Sequence, residues 1–151
     1  MRIYLDTCCL NRPFDNQADA RIHIETEAIK TILQLCEQGQ WQLVSSEVLE
    51  LEISRTPDAL RQKYLSLLLN AANTTILLDD VIVATARLNE TFGLKAFDAL
   101  HLACAIAGAD VLLTVDDKFL KKAQALPSLN IRVAHPLRWL EERSEERRVG
   151  K

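Results

Sequence analysis

The sequence predicts an α/β fold in three layers (α/β/α) with a short, mostly parallel central sheet. Short β-branched runs alternate with longer helical patterns along the chain, and strands separated by helices form parallel sheets covered on both faces. The length of 151 residues fits one domain. With 48% hydrophobic and 26% charged residues the chain can bury one ordinary core.

Each element follows from local pattern. RIYL at Arg2–Leu5 is a compact apolar strand ending at Asp6, and NRPFDNQ reads as a loop. From about Asp19 to Glu37, Ile22, Ile29, Ile32, Leu33 and Cys36 mark a helical stripe. Gly39 punctuates, and WQLV at Trp41–Val44 is the second strand. Ser45 or Ser46 can cap the helix SSEVLELEISR, which must stop near Thr56 because Pro57 disfavours helix in the residue before it. Asp58–Ala72 is helical and Leu-rich, Thr75–Leu78 is a strand, and Asp80–Phe92 is a helix broken by Gly93. A helix from about Phe97 to Ala107 leads through Gly108 to the strand Val111–Leu113. Asp116–Ala125 is helical, Ile131–Val133 is the last strand, and Pro136–Glu142 starts a final helix. The domain is expected over 1–143. SEERRVGK at 144–151 has no apolar periodicity and is expected to be a disordered or non-native tail.

Composition excludes several classes. Four glycines and four prolines are too few for collagen-like or low-complexity chains, and no apolar run reaches the roughly 18 residues of a membrane span. No basic region followed by an apolar stretch opens the sequence, so a cytoplasmic, membrane-free protein is expected. Four cysteines without C-x-x-C, and three histidines outside zinc spacing, read as thiols in a reducing compartment. A net charge of −3 gives no general steering toward nucleic acid, so a role there needs a local basic rim or a bridging cation. At 5% aromatic residues, a base-stacking platform is disfavoured.

Ligands of open parallel sheets gather outside the carboxyl ends of the strands. Asp6 follows the first strand, Glu47, Glu50 and Glu52 lie on the helix after the second, and Asp116 and Asp117 follow VLL. Asp98 opens a helix that is apolar nearly all round, where a carboxylate is costly unless used or paired. Simpler roles stand beside these: a turn cap for Asp6, solvated helix charges for Glu47 and Glu50, an N-cap pair for Asp116 and Asp117. Jointly, carboxylates packed at one sheet edge stay ionised only with cations between them, and a set poor in histidine and thiolate suits Mg2+ or Mn2+.

MRIYLDTCCLNRPFD at the start and KAFDALHLACAIAGADVLLTVDDKFLKKA later resemble the opening and closing blocks of the PIN-domain family, with LVSSEVLELEISR similar to the segment between. The resemblance covers roughly residues 1–135. It implies a metal-dependent ribonuclease, with VapC-type toxins of toxin–antitoxin pairs as the largest bacterial group. Carried over, the first acid falls on Asp6, the third on Asp98 and the fourth on Asp116. The second falls on Glu52, which fits an E-I-x-R-like continuation, or on Glu50 in a comparable V-L-E-L context. Thr114 matches the family's hydroxyl residue near the metal, Thr7 follows the first aspartate, and Asp117 is an alternate to Asp116. Cys8-Cys9 and Asn11-Arg12-Pro13 depart from the general pattern.

The implied chemistry is hydrolysis of RNA phosphodiester bonds with one or two Mg2+ or Mn2+ ions held by Asp6, Glu52, Asp98 and Asp116. Arg12, Arg55, Lys95 and Lys118 are candidates for guiding the RNA backbone. Apolar stripes near 22–36 and 58–72 could in part form a homodimer face or receive an antitoxin. Other phosphate chemistries fail on the text: Asp6-Thr7-Cys8 is not D-x-D, the adjacent acids come late rather than after the first strand, and no P-loop or G-x-G-x-x-G motif occurs. The rival of another class is a PIN-like scaffold that only binds a partner and is catalytically silent.

Overall fold

A computed structural model describes residues 1–149. Five strands, β1 (Arg2–Leu5), β2 (Gln42–Ser46), β3 (Thr74–Ile76), β4 (Val111–Leu113) and β5 (Arg132–Ala134), form one sheet in the order β3-β2-β1-β4-β5. All four pairings are parallel. The helices are α1 (Thr7–Asn11), α2 (Ala20–Glu37), α3 (Glu47–Ser54), α4 (Ala59–Asn70), α5 (Asp80–Thr91), α6 (Ala96–Gly108), α7 (Asp117–Gln124) and α8 (Pro136–Val149), with a 3-10 turn at Arg12–Phe14. The architecture is the three-layer α/β/α arrangement expected from the alternation of elements.

The central strands are buried on both faces, so they read as continuous apolar runs rather than alternating ones. Ile3, Tyr4, Leu5, Val44, Leu112 and Leu113 are fully buried. Helix α2 packs on α8, α3 on α4, and α5 on α6. Trp139 of α8 meets Trp41 edge-on with ring centroids 4.8 Å apart, closing one end of the core. Gly108 is small for a reason: a Cβ there would stand 2.8 Å from the Ile76 side chain of β3. No helix among the described residues is long and apolar enough to cross a membrane.

Two stretches differ from the pattern-based expectation. NRPFDNQ is not simply a loop, because α1 and the 3-10 turn occupy Thr7–Phe14. The Asp6 side chain caps α1, its carbonyl accepts from Cys9 N (2.9 Å) and Leu10 N (3.2 Å), and Pro13 supplies a preset φ to the 3-10 turn. A five-residue helix is too short to show a hydrophobic period. In the expected tail, helical backbone continues from α8 to Val149, with the Ser144 hydroxyl donating to the Leu140 carbonyl at 3.2 Å. Gly150 and Lys151 of that tail lie outside the described residues.

The strand order places the site. From β1 the chain runs outward through β2 to β3, then crosses back to β4 on the other side of β1. The order reverses between β1 and β4, and at such a switch point departing connections leave a crevice outside the carboxyl ends of the strands. Asp6 and Thr114 are the residues immediately after those two strands. The ladder continues through them, with Asp6 N donating to Leu113 O at 3.0 Å and Thr114 N donating to Ala134 O at 3.1 Å.

Candidate functional site

Asp6 is 5% exposed and held from several sides. Its Oδ1 accepts from Thr7 N at 2.6 Å, and its Oδ2 accepts from the Thr114 hydroxyl at 3.0 Å and from the Cys8 thiol at 3.3 Å. The same Thr114 oxygen accepts from Asp116 N at 3.1 Å, which ties the start of α7 to the end of β1. Asp116 is exposed and caps α7, its Oδ1 accepting from Lys118 N and Phe119 N. Asp6 and Asp116 therefore do act as caps, and both stand at the sheet edge.

Asp98 lies half-buried in the first turn of α6. Its carboxyl is raised to about 6, first by burial and then by the charges of Asp6 and Asp116, which outweigh His101 and Lys95. The charges of Asp6, just after β1, and Asp116, just before α7, are thus both felt at Asp98 on α6. Glu52 joins from α3. Its Oε1 accepts from the Thr7 hydroxyl at 2.8 Å and is in direct contact with His101 Nε2. Burial works to raise the Glu52 carboxyl, but the hydrogen bonds from His101 and Thr7 prevail and hold it below the ordinary glutamate value. Of the two glutamates open as second acid, Glu52 faces Thr7 and His101, whereas Glu50 is exposed.

The remaining candidates separate from this group. Asp117 is exposed and its Oδ1 accepts from Arg21 Nη2 at 2.8 Å. Arg12 donates to the buried Glu25 at 2.9 Å and to Asp15 at 3.1 Å. Arg55 follows α3 with its guanidinium 6.0 Å from the centre of the Phe97 ring, Lys95 precedes α6, and Lys118 lies in the first turn of α7, all three exposed.

Sequence reasoning missed His101. It is 1% exposed, with Nδ1 2.6 Å from the Tyr4 hydroxyl and Nε2 3.8 Å from Asp6 Oδ1. The signal was its place three residues after Asp98, which puts both on one face of α6. A second cluster also went unread. Glu25, 2% exposed, accepts from Arg12, from Arg21 (3.1 Å) and from His135 (2.6 Å).

Among the described residues, no three His, Cys, Asp or Glu side chains converge closely enough to chelate an ion as they stand. The donor set nevertheless fits a hard divalent cation. It offers carboxylate and hydroxyl oxygens, and the charges of Asp6 and Asp116, second to burial in raising Asp98, are ones a cation would offset.

The fold is similar to solved structures of other proteins. A structure of FitAcB from Neisseria gonorrhoeae aligns with a TM-score of 0.56 at 15% identity, covering 89% of this chain and 98% of that one. VapBC2 from Rickettsia felis, bound to a DNA fragment from their promoter, aligns with a TM-score of 0.59 at 16% identity, covering 88% and 97%. FitAB bound to an IR36 DNA fragment aligns with a TM-score of 0.54 at 17% identity, covering 89% and 94%. At such identities the likeness concerns the fold. No curated protein matches in sequence. The model of the PIN domain matches residues 3–125, from the first residues of β1 to the end of α7, and the chain belongs to the PIN domain family.

Proposed function

We propose that this chain is a Mg2+- or Mn2+-dependent endoribonuclease and the toxin of a toxin–antitoxin pair. The observation that carries the reading is the placement of Asp6 and Asp116 beyond the carboxyl ends of β1 and β4, at the switch point, with the half-buried Asp98 of α6 raised in part by the charge of both. Family membership and the likeness to VapBC2 and FitAB support it.

Asp6, Asp98 and Asp116, with Glu52, would hold the ion. When bound, a divalent ion of this kind supplies an activated water and offsets charge on the phosphate oxygens. The chain's own groups prepare the site. Thr114 fixes Asp6 and orients the start of α7, while Thr7 and His101 keep Glu52 ionised. Without a cation the acidic edge repels an RNA phosphate. Lys95, Lys118 and Arg55, exposed around that edge, are the proposed backbone contacts. Arg12, committed to Glu25 and Asp15, is left out of that role.

The proposed partners are an antitoxin and a second copy of the chain. Leu60, Tyr64 and Leu67 of α4 are exposed, as are Leu77, Val81, Leu88 and Phe92 around α5, leaving apolar surface for such contacts. An RNA target would place the protein in the cytoplasm. Sedimentation of the purified chain tests the dimer.

The decisive assay uses a mixed RNA substrate with Mn2+, Mg2+ or EDTA, comparing wild type with an Asp6→Asn, Asp98→Asn variant. Cleavage that needs the metal and is lost in the folded variant is the expected result. The second reading, a silent binding module, draws on the contact of His101 with Glu52 and on the open spacing of the acids. Absence of cleavage across several RNAs with either ion would favour it.

A further inference from the structure

A chain of polar side chains stands behind Glu52 and links both ends of α3. Ser46 caps the start of that helix, its Oγ accepting from Leu49 N at 3.1 Å. The Tyr4 hydroxyl of β1 lies 2.7 Å from Ser46 Oγ and 2.6 Å from His101 Nδ1. His101 Nε2 then meets Glu52 Oε1 in the last turn of α3. Ser46, Tyr4 and His101 are buried, yet their neighbours in β1 and α6 (Ile3, Leu5, Ala99, Leu102, Ala103) are apolar. Packing alone does not call for this chain, because buried polar groups are costly unless fully paired and an apolar core avoids that cost.

The ends set its polarity. An ionised Glu52 can only accept, so His101 Nε2 carries a proton aimed at it. Where Nδ1 accepts from the Tyr4 hydroxyl, Tyr4 accepts from Ser46. Each proton then points toward Glu52, and the imidazole can neither flip nor turn away without breaking two buried bonds. His101 Nε2 also lies 3.8 Å from Asp6 Oδ1, so one nitrogen faces both carboxylates.

We propose that His101, locked by Tyr4 and Ser46, is a positioning residue that orients Glu52 toward Asp6 as the second acid of the metal-holding centre. This rests on the metal-dependent nuclease reading above. Glu52, half-buried on a helix of eight residues, is otherwise held, among the described residues, by the Thr7 hydroxyl at 2.8 Å. Partners of this kind behind a ligand are worth on the order of 10- to 100-fold in metal affinity.

The test is calorimetric titration of Mn2+ into the full chain, with melting temperatures in EDTA, for wild type, Glu52→Gln, Tyr4→Phe, His101→Gln and His101→Asn. The amide of glutamine can put an N–H where Nε2 stands; that of asparagine reaches only the Nδ1 position. Affinity is expected to fall on the order of 10- to 100-fold in Glu52→Gln and His101→Asn. It should fall less in Tyr4→Phe and stay near wild type in His101→Gln. Tyr4→Phe removes one oxygen and keeps the ring, so it remains informative if a His101 variant does not fold. Folded His101→Asn and Tyr4→Phe that bind Mn2+ like wild type would overturn the proposal and leave the nuclease reading standing. The same holds if Glu52→Gln binds normally, or if the glutamine and asparagine variants are equally weak. No Mn2+ binding by wild type would overturn both.

Discussion

Thr114 and Asp6, 108 residues apart in sequence, meet at 3.0 Å across the adjacent strands β1 and β4. The threonine hydroxyl donates to the aspartate and accepts from the amide of Asp116. One buried hydroxyl therefore couples two candidate ligands. Thr114→Val keeps the shape and leaves both Asp6 and the Asp116 N–H short of a partner. A loss of about 1–3 kcal/mol in urea unfolding is expected. On the nuclease reading, metal-dependent RNA cleavage should fall by on the order of 10- to 100-fold.

Two carboxyls predict opposite responses to pH in the metal-free protein. Asp98 is raised to about 6 by burial and by Asp6 and Asp116. The folded chain thus binds that proton more tightly than the unfolded one. Its contribution to stability is complete below the ordinary aspartate value near 3.9 and is lost as pH rises through about 6. Glu25 has the opposite sign. Burial would raise it, but hydrogen bonds from His135, Arg12 and Arg21 hold it below the ordinary value. Its contribution is present above about 4.3 and is lost as pH falls through the folded value. Melting temperatures in EDTA should therefore rise from pH 7 toward 5 and fall in stronger acid. Asp98→Asn should remove the rise and Glu25→Gln should flatten the fall.

At neutral pH, Glu25→Gln leaves two guanidiniums facing a neutral amide. Breaking a buried ion pair costs roughly 3–5 kcal/mol. The lower end is expected because Arg21 is 54% exposed and keeps its hydration. Denaturant unfolding measures the loss. Activity per folded molecule should change little, since Glu25 is bound to Arg12, Arg21 and His135 rather than to the acid group.

Glu146→Ala should be nearly neutral. The Arg143–Glu146 ion pair at 3.0 Å involves a mostly exposed glutamate, and such pairs are worth about 0–1 kcal/mol. Trp139→Ala, by contrast, empties the buried contact with Trp41 and should cost about 3–5 kcal/mol. Thermal melts of the two variants, compared with wild type, check both.

Where the candidate acids stand in the fold was legible because strand ends in a parallel sheet are readable from apolar runs. RIYL and VLL are β1 and β4 with the expected bounds, and Asp6 and Asp116 stand just beyond their carboxyl ends. Asp98 stood out as a charge on an apolar helix. What escaped depends on pairing across the fold. His101 acquires its place from Tyr4, whose hydroxyl turns inward from β1, and a tyrosine in a strand does not announce its partner. Glu25 gives no signal in the sequence because Arg12, Arg21 and His135 come together around it only in the folded chain. Glu47, read as a solvated charge, is exposed yet accepts from Leu78 N at 2.7 Å, holding the segment after β3.

The parallel order of the sheet also bears on synthesis. Strand β1 occupies the centre of the sheet, but its neighbour β4 follows more than 100 residues later. At 5–20 residues per second, a ribosome needs about 5–20 s to travel from Asp6 to Thr114. Throughout that interval the first aspartate has no fourth strand beside it and no hydroxyl to hold it. Stalled chains ending before β4 should be cut readily by protease. On the nuclease reading, an unfinished polypeptide carries no assembled acid group and is harmless to the RNA of the machine that makes it.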